Sequence, residues 1–181
     1  MEETKEISKT TDTKIDELEA AMLNNCPLID CPLVHTFVPG MYIRRIFMPK
    51  GKYNPETGVD DINVVTSMIH KTTHPFFVLS GKVAVFSEND GEQIITAPFH
   101  GFTTPGTRRV LRIIEDTIWV TVHHTTIQPK DDSDEAILEA ADLVLDEIID
   151  MRVNPLIGSV VRQNRVEDKN IVNQLNLQEC P

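Results

Sequence analysis

The sequence has little cysteine and no long apolar run. Its three cysteines, Cys26, Cys31 and Cys180, are odd in number and form no CxxC pair, which excludes a disulfide framework and a cysteine-based zinc cluster. We therefore expect ordinary reduced thiols. No segment approaches the roughly 18 uninterrupted apolar residues of a membrane-spanning helix, so no membrane association is predicted.

The sequence is also poor in basic residues, with 17 Lys and Arg against 28 Asp and Glu and a net charge of −11. This imbalance argues against direct binding of nucleic acid through its phosphates. The first 23 residues carry seven acids and three lysines without an apolar segment, so we expect no secretory signal peptide. Residues 131–150 hold nine acids and no base. A solvated helix face explains this run, and a docking surface for a basic partner is the alternative.

Several catalytic signatures are missing as well. The sequence contains no Ser-His-Asp or Cys-His arrangement, no phosphate-binding glycine loop, no dinucleotide fingerprint and no repeat of solenoid period. Whether the protein is an enzyme is therefore left open, with a non-enzymatic role preferred.

Three regions are predicted along the chain. Residues 1–25 form a polar extension with a short amphipathic helix from Ile15 to Leu23. Residues 26–129 alternate β-branched and aromatic runs with turn residues, which predicts an antiparallel sandwich or small barrel, with a hairpin turn at Asn89-Asp90-Gly91 and with Trp119 in the core. Residues 130–181 form an acidic helix and tail. The helix is capped by Asp132 or Ser133 and ends at Asn154-Pro155.

The most informative stretch is "MIHKTTHPFFVLSGKVAVF", residues 68–86, which has two histidines four residues apart. The flanking residues favour strands, so a helical pair of metal ligands is disfavoured. On one straight strand the two residues would lie about 13 Å apart. His70 and His74 can therefore converge only if the intervening Lys-Thr-Thr turns and each histidine stands at the mouth of a strand.

The same stretch resembles the first motif of the cupin family. His70 falls on the second histidine of that motif, His74 on its glutamate, Gly81 on its closing glycine and Met68 on its first histidine. Gly51 would be the opening glycine, followed by an insertion. The second motif is represented by "TPGTRR", with Pro105-Gly106 at the turn, Arg109 at the third histidine and Ile113 at the asparagine. The resemblance covers roughly residues 33–125. It implies a mostly β, double-stranded β-helix (jelly-roll) barrel with short helical extensions at both ends.

More narrowly, the segments "CPLVHTF", "IHKTTHPFFVLSGKV", "TPGTRRVL" and "EDTIWVTVHHT" are similar to cupin-like proteins of tailed bacteriophages and prophages. This resemblance implies a bacteriophage source more than a chemistry. Together with the large terminal extensions, about 25 residues before the barrel and 50 after it, it favours a non-enzymatic structural or assembly protein associated with the virion as a decoration, connector or accessory component. It would be a homo-oligomer that contacts other structural proteins through its terminal extensions. It would be found in the host cytoplasm during assembly and in the virion.

The alternative is a metal-dependent cupin enzyme or binding protein for a small acidic or sugar-like ligand. His70 and His74 would hold a divalent transition metal (Zn, Fe, Ni or Mn), with His123 or His100 as a third ligand. Arg109 and Arg108 would clamp the anionic ligand. Against this, Met68 and Arg109 occupy two ligand positions of the family pattern, and neither suits a hard ion. We therefore expect no bound cofactor, and histidines that are hydrogen-bonded without metal.

Overall fold

The computed structural model describes residues 15–22, 24, 26, 28–87 and 91–150. Within them, helix α1 covers residues 15–22 and helix α2 covers Asp134–Ile148. The strands are β1 (Leu33–Val38), β2 (Met41–Met48), β3 (Tyr53–Asn54), β4 (Val59–Asp60), β5 (Asn63–Thr66), β6 (Ile69–His70), β7 (His74–Ser87), β8 (Gly91–Thr96), β9 (Phe99–Thr103), β10 (Arg109–His124) and β11 (Ile149–Asp150).

Two long strands, β7 and β10, hold the barrel together because each runs through both of the sheet halves that form the two faces of the barrel. The first half of β7 pairs with β9 and with the second half of β10, which continues to β2 and then β1. The second half of β7 pairs with β8 and with the first half of β10, which continues to β5. All of these pairs are antiparallel. The bend between the two faces is what closes the sheet into a two-faced barrel.

The bend is located at Gly81 on β7 and at residues 113–119 on β10. The register between the two strands shifts three times there, which marks β-bulges. Gly81 has a φ of +87°, and a Cβ at this position would overlap the carbonyl oxygen of Asp116. Only glycine fits both requirements, so the closing glycine of the sequence motif is needed for the turn of the strand itself.

The predicted turns agree with the strand pairing. Strands β7 and β8 form a hairpin in which Ser87 pairs with Gly91, and Gly91 has a φ of +66°. Asn89 and Asp90 of the predicted turn lie outside the described residues. Pro105-Gly106 forms a turn before β10, as predicted.

The core lies between the two faces. It contains Trp119, 6% exposed, which stacks on Phe76 at a centroid distance of 4.4 Å. The core placement predicted for Trp119 is therefore confirmed. The other buried members are Met48, Val78, Val83, Val85, Ile95, Leu111 and Ile113.

Both terminal helices pack on the barrel. Ser133 caps α2, with its side-chain oxygen accepting from the backbone N–H of Ala136, as predicted. The predicted end at Asn154-Pro155 is wrong, because α2 ends at Ile148 and Ile149 begins the β11 pairing with β6. No helix among the described residues is long and apolar enough to cross a membrane.

Candidate functional site

Three histidines are brought together at one end of the barrel by three different strands. His70 ends β6, His74 begins β7 and His123 lies next to the end of β10. Residues 71 and 72 bend between the first two, as the sequence predicts. His123 faces inward with Trp119 and Thr121 because alternate residues of a strand share a face. The alternation parity of His123 was the signal that suggested it as a third member.

The three imidazole rings are in contact with one another. The ring centroids are 4.5 Å apart for His70 and His74, 4.2 Å for His74 and His123, and 6.3 Å for His70 and His123. All three residues are at most 5% exposed. We call these three residues the histidine triad.

Burial keeps the triad neutral. Desolvation, with smaller effects from the neighbouring His74 and Arg44, lowers the pKa of His70 to about 2. Desolvation also lowers the pKa of His74 to about 4 and that of His123 to about 3, with Arg44 adding to both. At neutral pH each ring therefore has a nitrogen lone pair that can accept a proton or bind a metal.

Each member of the triad has one buried ring nitrogen without a hydrogen-bond partner: Nδ1 of His70, Nε2 of His74 and Nδ1 of His123. His74 Nδ1 lies 3.2 Å from the carbonyl oxygen of Thr72. Because a carbonyl only accepts, Nδ1 carries the proton and Nε2 offers its lone pair. His123 Nε2 is bonded to Thr121 Oγ1 at 3.0 Å.

The rings as they stand do not surround one common point. Within residues 15–150 that the structure describes, no group of three or more His, Cys, Asp or Glu side chains is arranged to hold a metal ion. The centroid distances and the orphaned nitrogens nevertheless place three neutral donors side by side. The torsion that turns a histidine ring is broad, so ring rotation alone can redirect these nitrogens.

A tyrosine next to the triad was missed at the sequence level. Tyr42 is fully buried, and its ring stacks on His123 at 6.0 Å. Its hydroxyl lies 2.6 Å from Nδ1 of His35. Both residues face inward from neighbouring strands, where Tyr42 pairs with His123 and His35 pairs with Arg44. Strand alternation could have identified Tyr42 once the inward face of β2 was known.

Two arginines act on the triad. Arg109, predicted as a ligand-binding residue, donates from Nη1 to Thr103 Oγ1 at 2.9 Å, and its guanidinium lies 5.2 Å from the Phe76 ring centroid. The positive charges of Arg109 and Arg44 both lower the pKa of His74. Arg44 was not among the predicted residues, although it occupies an inward position of β2 beside Thr121.

The other predicted residues lie elsewhere. Arg108 is 4% exposed and its guanidinium is bound to α1, at 2.8 Å from Asp16 and 2.5 Å from Glu19. The structure therefore does not bring Arg108 to the triad. His100 is exposed on β9 and pairs with Phe77, so it lies away from the triad as well. Cys26 and Cys31 are free thiols, with Cys26 exposed.

Helix α2 closes the barrel at the end that contains the triad. Its buried side chains pack with Tyr42 and with the half-buried Phe37 and Met68. The helix is also tied to the turn between the first two histidines. The backbone N–H of Lys71 donates to the Ile148 carbonyl, and its Nζ donates to the Asp146 carbonyl, both at 2.8 Å.

Comparison with known proteins gives similarities of fold. No family model and no curated protein matches the chain. A cupin superfamily protein from Desulfitobacterium hafniense is 6% identical, with a TM-score of 0.40 over 55% of this chain and 82% of its own. An RmlC-like cupin family protein with a double-stranded β-helix fold from Methanocaldococcus jannaschii is 9% identical, with a TM-score of 0.39 over 54% and 82%. The Cnp3 cupin domain of Schizosaccharomyces pombe is 18% identical, with a TM-score of 0.38 over 57% and 66%.

The fold class predicted from the sequence is confirmed. The described chain is a mostly β, two-faced antiparallel barrel of the jelly-roll type, with a helix on each side of it in the sequence. Its interior differs from a purely apolar core, because the histidine triad, Tyr42 and Arg109 occupy one end.

Proposed function

We propose that this cupin-like barrel binds a divalent transition metal at the histidine triad and uses it to hold a small acidic or sugar-like ligand. The observation that carries the proposal is the set of three buried ring nitrogens without partners, one on each histidine. An unsatisfied buried polar atom costs about 1–3 kcal/mol. Three such nitrogens side by side would destabilise the folded protein unless a bound group forms bonds with them.

The chemistry of the three donors favours a metal as that group. A metal needs deprotonated ligands, and burial keeps all three imidazoles neutral. Imidazole nitrogens suit Zn, Fe and Ni, and Mn is bound more weakly. The bond from His74 Nδ1 to the Thr72 carbonyl is the type that orients metal-binding histidines elsewhere.

Arg109 supplies the second part of the proposal. Arg109 is buried, at 9% exposed, and its charge acts on both His70 and His74. A guanidinium at this place favours a carboxylate or an acidic sugar over a neutral ligand. When bound, the metal would act as a Lewis acid toward the same ligand. Arg108, which is paired with Asp16 and Glu19, has no part in this function.

Metal analysis of the full chain, purified without chelator, tests the proposal. We expect about one equivalent of metal in the wild type, and its loss in a His70→Ala/His74→Ala variant. The matched control is His100→Ala/His124→Ala, which removes two exposed histidines and should leave the metal content unchanged. Wild-type protein that stays metal-free after incubation with Zn, Fe, Ni and Mn salts, with no rise in melting temperature, would overturn it.

A non-enzymatic assembly role is the second candidate function. The observation that favours it is an exposed apolar face on the outside of the barrel, which includes Phe77, Leu79 and Phe102. A virion-associated decoration, connector or accessory component would use such a face to contact structural proteins. Mass spectrometry of purified bacteriophage particles tests this role directly. Absence of the chain from the particles of a phage that encodes it would refute the virion-associated role.

A further inference from the structure

Most side chains on the outer side of the β1–β2–β10–β7–β9 sheet are apolar. We call it the outer face. One row across it is fixed by strand register, in the order Val34, Arg45, Val120, Phe77 and His100. The outward positions of the described strands are Val34, Thr36, Val38, Met41, Ile43, Arg45, Phe47, Pro75, Phe77, Leu79, His100, Phe102, Ile118, Val120, Val122 and His124.

The apolar members of this face are solvent-exposed to an unusual degree. Phe102 is 68% exposed, Leu79 is 58% exposed and Phe77 is 37% exposed. The alternate residues of the same strand are core residues, with Phe76 at 5% and Val78 at 1%. Strand β7 is therefore apolar on both sides, whereas an antiparallel sheet that faces water normally alternates apolar with polar residues.

The outer face is large enough for a stable protein interface. Five strands about 4.8 Å apart, each rising about 3.3 Å per residue over five to eight residues, give a sheet face of about 500 Å². The protruding side chains increase the accessible area of the face beyond this flat estimate, towards the roughly 800 Å² per partner of a standard interface. Twelve of its sixteen outward positions are apolar, and apolar patches of this extent are often interaction sites.

The distribution of charged residues favours a second copy of the chain as the partner of the outer face. The chain has a net charge of −11, so two copies repel each other over most of their surface. The outer face is an exception, since none of its outward positions is Asp or Glu. A nucleic acid would require many more cations than Arg45 provides. A second copy of the chain can approach here without burying a carboxylate.

We infer that the outer face is the interface of a homodimer, formed by the same face of two copies around a two-fold axis. In such an isologous contact each apolar row packs against its counterpart, and Leu79 and Phe102 of each copy become buried. The interface lies on the opposite side of the sheet from the histidine triad. The inference is therefore independent of the metal proposal. A face covered by a second copy is not free to contact other structural proteins, so any assembly role of the dimer would use other surfaces.

Light scattering and sedimentation velocity of the full chain test the inference. We expect a mass of two chains at about 10 µM, and a dissociation constant raised at least 30-fold in a Leu79→Asp/Phe102→Asp variant, since two of the most exposed apolar side chains of the outer face are replaced by charge. Both side chains are exposed, so the variant should keep its circular dichroism spectrum. The matched control is Ile94→Asp, which is 60% exposed on β8 outside this face and should remain dimeric.

Three results would overturn the inference. The first is a wild-type monomer at about 100 µM. The second is a Leu79→Asp/Phe102→Asp variant that stays dimeric. The third is a monomeric Leu79→Cys variant whose new thiol resists a thiol reagent, because another segment of the chain would then cover the face. The metal content of the same variants separates the two proposals: it should not change when dimerisation is lost.

Discussion

Ile149 pairs with His70 across the short β6–β11 ladder, so the residue that follows α2 is attached to the first member of the histidine triad. Lys71, the next residue, donates to two carbonyls near the end of α2. The buried residues of α2 also pack in one cluster with Tyr42, whose ring stacks on His123. The helix therefore contacts the surroundings of two members of the triad, although it contributes no member itself.

We expect a Lys71→Met variant to loosen the end of α2. The change removes the Nζ donor to the Asp146 carbonyl at the negative end of a helix that has no basic residue in its last turn. Amide hydrogen exchange at residues 148–150 should become several-fold faster, and the free energy of unfolding should fall by about 0.5–1 kcal/mol. Lys130→Met, which removes a surface pair with Glu139, is the control. Equal exchange rates in the wild type and Lys71→Met would contradict the prediction.

The metal-free protein should lose stability in mild acid. Each triad histidine has a pKa near 6.5 when unfolded and about 2 to 4 when folded, so below pH 6.5 the unfolded chain binds more protons. The free energy of unfolding is therefore highest above pH 6.5, where the histidines are neutral in both states, and it decreases as the pH falls below 6.5. From pH 7 to pH 5 each histidine should cost about 2 kcal/mol of unfolding free energy.

Urea denaturation at pH 7, 6 and 5 in the presence of a chelator measures this loss. A His74→Gln variant should show about one third less pH dependence. His100→Gln, which changes an exposed histidine, should follow the wild-type curve. A wild-type stability that is flat between pH 7 and pH 5 would show that the triad is solvated or protonated in the folded protein.

Replacing Gly81 should damage the barrel more than replacing another glycine of positive φ. In Gly81→Ala the Cβ would overlap the Asp116 carbonyl and come within 2.6 Å of Thr117 Oγ1, in addition to the unfavourable φ of +87°. We expect a loss of about 3 kcal/mol or more of unfolding free energy. Gly58→Ala, with a φ of +73° and nothing within 4 Å of the added Cβ, should lose only about 1 kcal/mol. Similar losses in thermal or urea denaturation would indicate that the bend is not constrained as described.

The contact between Arg108 and α1 should behave as a buried ion pair. Burial raises the pKa of the Glu19 carboxyl, while a hydrogen bond from Thr66 and the charge of Arg108 offset part of this effect. Arg108→Met should cost about 3 kcal/mol because Glu19 is left buried without its cation. Adding Glu19→Gln should recover most of this loss. Strictly additive effects in a double-mutant cycle of the full chain would show that the two side chains do not interact.

The fold could be predicted from the sequence where one residue type satisfies a local requirement. Gly81, Gly91 and Gly106 mark backbone positions of positive φ, and the alternation of β10 indicates that His123 shares a face with Trp119. The insertion after Gly51 folds as the small β3–β4 hairpin, which local turn residues explain. These features depend on a few neighbouring residues, and each is visible in the printed sequence.

The remainder depends on contacts between distant residues. Arg108 meets Glu19 across a sequence separation of 89 residues, and no local pattern distinguishes it from Arg109, which turns into the barrel. Tyr42 and Arg44 join the triad because β2 pairs with β10, and that register follows from the whole sheet. The predicted domain boundaries at residues 25 and 129 stay a prediction. So do the site residues, the expectation of no bound cofactor and the alternative of a bound metal.

The closure of the barrel by α2 also has a kinetic consequence. Any molecule that exchanges with the triad through this end must wait for the helix to move away from Tyr42, because the two are packed together. The exchange rate through this end therefore cannot exceed the opening rate of α2, however weakly the molecule is held. The residence time of a bound group would then be governed by the C-terminal helix as much as by the histidines that contact the group.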